Sequence, residues 1–447
     1  MPADETPAET GLGPMRTRLQ WCVAVVMLGF VAATYLHYWI TAYQGIPYPA
    51  GTYLYRPQDS MGVAWEGVST YHCFGDFYGQ WLVAGLPTPY VQMPWGQGSN
   101  YLPFTHVLML PSRLLPYWAA LAIYLALTAG ACFWFCYRTL EPLPSVERCI
   151  AATALALMSY PVQILLDRGN IEAFVFAFLA GFQLLYAARR PHLAAASLAG
   201  AIAIKGYPAV FGLVFLNRGQ VGPLLLCGGL AVLLTLASAG CFAGGVAGTL
   251  QGCFSGMAQY ASTKTSDDAI ACGSSLWGLM AITAYFTSWA PEIRDPLLWL
   301  LQHFRIVQIA LAAGLVMAFA TVRFRLWEAL SLCCFAMMSL VAVGPDYRLV
   351  HWLIPTAAFF GSGRSVRWPR AYATLLGLLL VPKGVVIAGE VKASAFLNPL
   401  IMLAICGMVV TEAASRHAGV RPYALVLHRL RSLPTAVSQL AARASRS

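Results

Sequence analysis

The chain has 447 residues, of which 59% are hydrophobic and 10% charged, with a mean hydropathy of +0.64. Soluble domains carry about 25% charged residues, so this composition excludes a protein that faces water on all sides. The net charge of +10 comes from arginine rather than from the four lysines. In a membrane protein such an excess marks cytoplasmic loops, and nothing in it implies nucleic acid.

A polar N-terminus with Arg16 and Arg18 precedes the first apolar run, Trp21 to Tyr43. That run is too long for the core of a cleaved signal and reads as an anchor. Further runs lie near Tyr117–Tyr137, Ile150–Leu166, Ile171–Ala188, Leu193–Ile204, Tyr207–Leu216, Val221–Phe242, Leu297–Thr321, Leu326–Val343, Leu349–Gly361, Ala371–Ala388 and Ala395–Val410. A span needs about 20 apolar residues, so several of these are too short to cross unaided. The pattern predicts an all-α integral membrane protein, a polytopic bundle of roughly 10–12 transmembrane helices. Residues 1–20 form a cytoplasmic N-terminus, 21–412 one membrane domain whose first outer loop spans 44–116, and 413–447 a basic cytoplasmic tail suited to lie on anionic lipid headgroups.

Alternating the loops from a cytoplasmic N-terminus puts Arg138, Arg148, Arg189, Arg190, Arg218, Arg323, Arg325, Arg364, Arg367 and Arg370 inside, as the positive-inside rule requires. Isolated Arg56, Arg113 and Arg294 fall outside. The segment Leu276–Ala290 is read as an outer-face or re-entrant helix. Most cysteines sit in apolar runs as small hydrophobes; Cys73, Cys241, Cys253 and Cys272 fall on the outer side, where a disulfide among them is open.

The remaining ionisable residues collect on the outer face. The long first loop holds His72-Cys73-Phe74-Gly75-Asp76-Phe77-Tyr78, then Gly85-Leu86-Pro87-Thr88-Pro89-Tyr90, then Tyr101-Leu102-Pro103, with Trp81 and Trp95 among them. Loops of this length are usually functional. Asp76 has no Lys or Arg within ten positions, and is either a solvated carboxylate or a partly desolvated proton acceptor. Asp167-Arg168-Gly169-Asn170-Ile171-Glu172 is either a local ion pair that caps the next helix or an anion grip, with Gly169 permitting close approach of a ligand. Lys205, followed by Gly206-Tyr207-Pro208, interrupts an apolar stretch; a charge there costs about 3 kcal/mol on insertion scales and needs a wet cavity or a partner. Gly344-Pro345-Asp346-Tyr347-Arg348-Leu349-Val350-His351 joins two runs, with Arg348 and His351 three apart and so on one face of a helix beginning near Tyr347. Gly273-Ser274-Ser275-Leu276 offers hydroxyls to cap a helix. Gly240, Gly244 and Gly248 have a helix-packing spacing. The sequence contains no P-loop, GxSxG, HExxH or DxD motif.

The order of these motifs resembles the integral-membrane glycosyltransferases of family 87. The resemblance rests on Asp76 in a long first outer loop, Gly85-x-Pro87-x-x-Tyr90, Tyr101-x-Pro103, Arg168-Gly169-Asn170, Lys205-Gly206-Tyr207-Pro208, the Ser274-Ser275-Leu276 stretch and Pro345-Asp346-Tyr347-Arg348. It implies the GT-C architecture and an inverting transfer of sugar, mannose being the commonest family choice, from a polyprenyl-phosphate donor to a lipid or glycan hydroxyl on the outer face. It implies that Asp76 deprotonates the acceptor, and that Arg168, Lys205 and Arg348 cradle the leaving phosphate. His351 orients donor or acceptor, Tyr78 and Tyr90 stack on sugar or prenyl, and Asn170, Glu172, Ser274 and Asp346 complete the substrate contacts. A lipid phosphodiester needs no metal-bound pyrophosphate, so neither metal nor cofactor is expected. No N-x-S/T site appears, and a bacterial plasma membrane is the expected location. The rival is a secondary transporter or lipid-carrier flippase, which would place ionisable groups on paired broken helices near the midplane.

Overall fold

The computed structural model describes residues 12–43, 74–90, 99–263, 273–341, 344–362, 366–383, 386–388 and 391–416. His72, Cys73, Trp95, Cys272 and the expected surface helix beyond Arg416 lie outside these residues.

The chain begins with α1 (Leu12–Tyr43). The long first loop contains α2 (Gly75–Ala84), α3 (Pro103–Met109) and a 3-10 turn (Leu110–Leu114). Then come α4 (Tyr117–Thr139), α5 (Ser145–Ala156), α6 (Tyr160–Arg168), α7 (Glu172–Ala187) and α8 (Pro191–Ile204). A 3-10 helix (Tyr207–Gly212) runs into α9 (Leu213–Asn217), followed by α10 (Val221–Gly240) and α11 (Gly245–Thr263). The second half comprises α12 (Leu276–Phe286), α13 (Pro291–Gln302), α14 (Phe304–Thr321), α15 (Leu326–Ser339), a 3-10 helix (Asp346–Trp352) continuing as α16 (Leu353–Gly361), and α17 (Pro369–Leu379). A short antiparallel pair, β1 (Val386–Ala388) and β2 (Val391–Lys392), leads into α18 (Ala393–Arg416).

The architecture is an all-α polytopic membrane bundle, but the apolar runs are not equivalent spans. Among the described residues, five helices are long and apolar enough to cross a bilayer: α1 over Gly13–Leu36, α4, α10, α14 and α18. The run expected as one span at Ile150–Leu166 is α5 and α6, bent by 59° at their break. Pro161 in the first turn of α6 cannot donate to the preceding helix, so the ladder stops there. Helices α7, α8, α9 with its 3-10 lead, α12 and α15 are apolar but short. The run expected at Ala371–Ala388 ends as helix at Leu379, ahead of Pro382. Helix α11 is a correction of the opposite kind. Its glycines and glutamines hide it from a hydropathy reading, and its Gly252 admits Tyr90, whose Cβ lies 2.9 Å from where a Cβ would stand. The glycine triad spaced for packing straddles the turn between α10 and α11, where Gly244 would meet the backbone of Gly248 at 3.2 Å.

Helix α15 is the centre of the fold, buried from Trp327 to Ser339 on every side. Around it the long helices turn Leu28, Val31, Leu127, Leu233, Ile309 and Met317 outward. Such an apolar exterior suits lipid, where hydrocarbon on hydrocarbon costs nothing. Small residues bring α7, α8 and α10 together: Ala194, Ala195, Ala199 and Ala201 are fully buried, and a Cβ on Gly200 would lie 2.6 Å from the Phe178 ring.

Ion pairs sort the two ends of the bundle. Arg16 pairs with Glu147, Arg138 with Glu141, Arg325 with Glu412, and Arg416 with both Glu328 and Glu412. Asp76 pairs with Arg168, and Glu172 with Lys205 and Arg348. Every one of these joins residues that the alternation of loops puts on one side.

Glu328 is fully buried and accepts from Arg416 Nη1 at 2.8 Å and Nη2 at 2.5 Å, while capping α15 through Arg325 N at 2.7 Å. Removing one partner of a buried pair leaves the other charge uncompensated at a cost of about 3–5 kcal/mol. Glu328→Ala is therefore expected to lower the thermal midpoint in detergent by several degrees. Glu147→Ala, which breaks an exposed pair, is expected to leave that midpoint unmoved.

Candidate active site

Helix α2 starts at Gly75 with Phe74 in the left-handed region, φ 71°, and Phe74 N donates to Asp167 O at 2.7 Å. The loop that carries Asp76 is thus bolted to the end of α6. Gly169, φ 61°, terminates α6, and its missing side chain makes room for α2: a Cβ there would lie 2.7 Å from the Cβ of Phe77. The approach expected of a ligand at Gly169 is made by the protein's own helix.

Asp76 Oδ2 accepts from Arg168 Nε at 3.0 Å and from Asn170 Nδ2 at 2.6 Å. Asp76 has no cation nearby in sequence and acquires one from ninety-two residues away. The local ion pair in the Asp167–Glu172 cluster is not formed between Arg168 and Glu172. Asn170 instead divides its amide: Nδ2 serves Asp76, and Oδ1 accepts from Glu172 N at 3.0 Å, opening α7.

Behind it Glu172 is completely buried. Its Oε1 accepts from Lys205 Nζ at 2.6 Å, Arg348 Nε at 3.2 Å and the Tyr207 hydroxyl; its Oε2 meets His351 Nε2 at 3.0 Å. Lys205 sits just past the end of α8 in extended backbone, where the chain turns into the 3-10 helix that supplies Tyr207. Arg348 and His351 come from the 3-10 helix Asp346–Trp352, in which residues three apart eclipse, so both reach the same carboxylate. Among the described residues, the buried His351 Nδ1 has no hydrogen-bond partner. A proton there would be a stranded donor, so it sits on Nε2 and is donated to Glu172.

The side chains of Asp76, Arg168, Lys205 and Arg348 keep 25, 15, 12 and 13% of their surface exposed. Asn170, Glu172 and His351 lie behind them with essentially none. Asp76 Oδ1 has no hydrogen-bond partner among the described residues. Lys205 Nζ also lies 4.6 Å from the Tyr101 ring, and Arg348 stacks 4.6 Å from Tyr207.

Other expected substrate contacts sit elsewhere. Ser274 Oγ donates to Asp346 Oδ1 at 2.5 Å and accepts from Asn398 Nδ2 at 2.9 Å, while Tyr160 OH donates to Asp346 Oδ2 at 3.1 Å. With the Gly273–Pro345 bridge, this buried strut ties α6, α18 and the segment before α12 to the 3-10 helix of Arg348. Ser275 Oγ caps α12 by accepting from Gly278 N. Nearby Lys383, in the irregular stretch after α17, has its ammonium pulled down to about 7 by desolvation, which the Asp346 carboxylate opposes. Tyr78 is enclosed by Trp81 and Tyr117, and Tyr90 donates its hydroxyl to Tyr101 O at 2.8 Å. Cys241 and Cys253 are free thiols.

Asn398 and His106 escaped the sequence reading, and Tyr207 was named there only as part of the motif after Lys205. Tyr207 was visible as the hydroxyl beside Lys205 at a helix break, and Asn398 as a polar residue inside an apolar run. His106, buried with Nε2 3.0 Å from Ser99 Oγ, gave no signal among its neighbours.

Fold and site together define a polytopic membrane protein with a carboxylate and three cations gathered where short helices end. The family model for glycosyltransferase family 87 matches residues 100–344, more than half of the chain. The chain belongs to glycosyltransferase family 87 and is a glycosyltransferase. The match takes in Arg168, Asn170, Glu172, Lys205 and Ser274. No curated protein and no solved structure matches the chain.

Gly169→Ala adds strain of about 1–2 kcal/mol at its positive φ and forces Phe77 away, so α2 must shift. The expected outcome is a fall in kcat of at least about tenfold with the bundle still folded, because a displacement of about 1 Å in a reacting group can cost more than that. Steady-state kinetics beside thermal unfolding checks it.

Proposed function

We propose that the chain is an inverting glycosyltransferase that moves a hexose, mannose first among candidates, from a polyprenyl-phosphate carrier to a hydroxyl of a lipid or glycan acceptor. The observation that carries this is the placement of Asp76: a partly exposed carboxylate with one oxygen uncommitted among the described residues, paired with Arg168 and joined through Asn170 to the Glu172 that holds Lys205 and Arg348. The resemblance stated above supplies the reaction.

In the proposed step, Asp76 Oδ1 accepts the acceptor's proton as its oxygen attacks the anomeric carbon from the face opposite the phosphate. The bond from that carbon to the phosphate oxygen breaks, and the electron pair leaves on the phosphate. Charge grows on that oxygen, and Lys205 Nζ and Arg348 are the groups set to meet it. Arg168 and Asn170 hold Asp76 by its other oxygen, which keeps it aimed. Among the described residues, three cations against two carboxylates, with His351 neutral, leave one positive charge. That balance suits a singly charged phosphodiester.

The arginine bias of the opposite end supports an extracytoplasmic site with both termini in the cytoplasm, and the membrane proposed is a bacterial plasma membrane. Prenyl chains would then reach the site from the bilayer. The aromatic cluster beside α2, in which Trp81 and Tyr117 meet edge to face, is of the kind that suits a membrane interface.

Transfer of labelled mannose from polyprenyl-phosphate-mannose to a membrane lipid extract, by protein in nanodiscs, tests the proposal. Asp76→Asn is expected to lose at least about 100-fold in rate while eluting as the same monodisperse protein. Equal activity in Asp76→Asn would remove Asp76 as the base.

A further inference from the structure

Glu172 presents a problem for a phosphate cradle, since an acid is the last group expected among cations meant for an anion. It cannot touch substrate: its side chain has no exposed surface, and both oxygens are engaged by protein donors. Its bonds reach the two exposed cations from behind, and it is shared by four elements, with Tyr207 and His351 adding neutral donors. Lys205 spends one of its three N–H groups on it.

We infer that Glu172 is an internal counter-anion, a positioning residue that holds Lys205 and Arg348 in place before donor arrives and weakens their grip on the departing phosphate so that product leaves. The inference rests on the proposed cradle. Without Glu172 the two cations would repel each other across a low-dielectric site and lack a common anchor. With it, they are pre-formed, and part of their field is already cancelled. A carboxylate this close to a bound phosphate opposes it by Coulomb repulsion, and removing that charge should strengthen phosphate binding by about tenfold or more at an effective dielectric constant near 20. A residue that bound substrate, or served packing alone, would show the opposite sign or no change.

The experiment uses wild-type protein and Glu172→Gln in nanodiscs, with polyprenyl phosphate and the uncharged polyprenol of equal length as probes. Product inhibition and direct binding are read together with kcat. The inference expects Glu172→Gln to hold polyprenyl phosphate about tenfold more tightly, to bind polyprenol as wild type does, and to turn over more slowly. Unchanged or weaker phosphate binding in Glu172→Gln, with wild type preferring phosphate over polyprenol, overturns it and spares the cradle. If wild type shows no such preference, the cradle itself falls, and the role of Glu172 with it. Should Glu172→Gln fail to fold, Glu172→Ala purified with acetate decides. Recovery of monodisperse protein by acetate but not by neutral acetamide supports the counter-anion, and equal behaviour in both overturns it.

Discussion

The buried carboxylate of Glu172 is the interaction on which the arrangement of the site depends. It stands at the start of α7 and gathers Lys205 from the end of α8, Tyr207 from the following 3-10 helix, and Arg348 and His351 from a second 3-10 helix. None of these elements is long enough to cross a bilayer, so each ends near the others with unpaired backbone and polar side chains to satisfy. A charge buried alone there would be prohibitive, and one buried with several donors is tolerated only in a fixed geometry. The short helices are thereby held in register, and Asn170 extends the network to Asp76.

A second constraint is steric. The loop bearing Asp76 reaches its cation because Gly169 lets Phe77 pass and because Phe74 hydrogen-bonds to Asp167. The Asp346 strut performs the corresponding task for Arg348, fixing the 3-10 helix against α6 and α18 through Tyr160 and the Ser274–Asn398 pair. Groups that look like ligand contacts in a linear motif are here bonded to one another inside the protein.

Much of the fold was legible in the sequence because hydrophobic runs and arginine placement follow from the bilayer alone. What it could not show was which runs are full crossings. Pro161 breaks one, Pro382 lies just beyond the early end of another, and the glycine-rich α11 falls below the hydropathy of a span while packing as a helix. At the site, the chemistry of each motif was readable, but the partnership was not. Asp76 with Arg168, and Glu172 with Lys205 and Arg348, are separated by tens to hundreds of residues, and only the packing of short helices brings them together. Burial was equally hidden: Glu172, His351, Ser274 and Asp346 carry polar chemistry in the sequence yet are buried in the fold.

As proposed, one site holds a phosphate-linked sugar between Asp76 and the Lys205–Arg348 pair. An experimental structure of the protein in nanodiscs with a non-hydrolysable polyprenyl-phosphate-sugar analogue tests it most directly. The account predicts phosphate oxygens within hydrogen-bonding distance of Lys205 Nζ and the Arg348 guanidinium, with the anomeric carbon facing Asp76 Oδ1. A phosphate bound away from both cations, with Asp76 remote from the sugar, would contradict it.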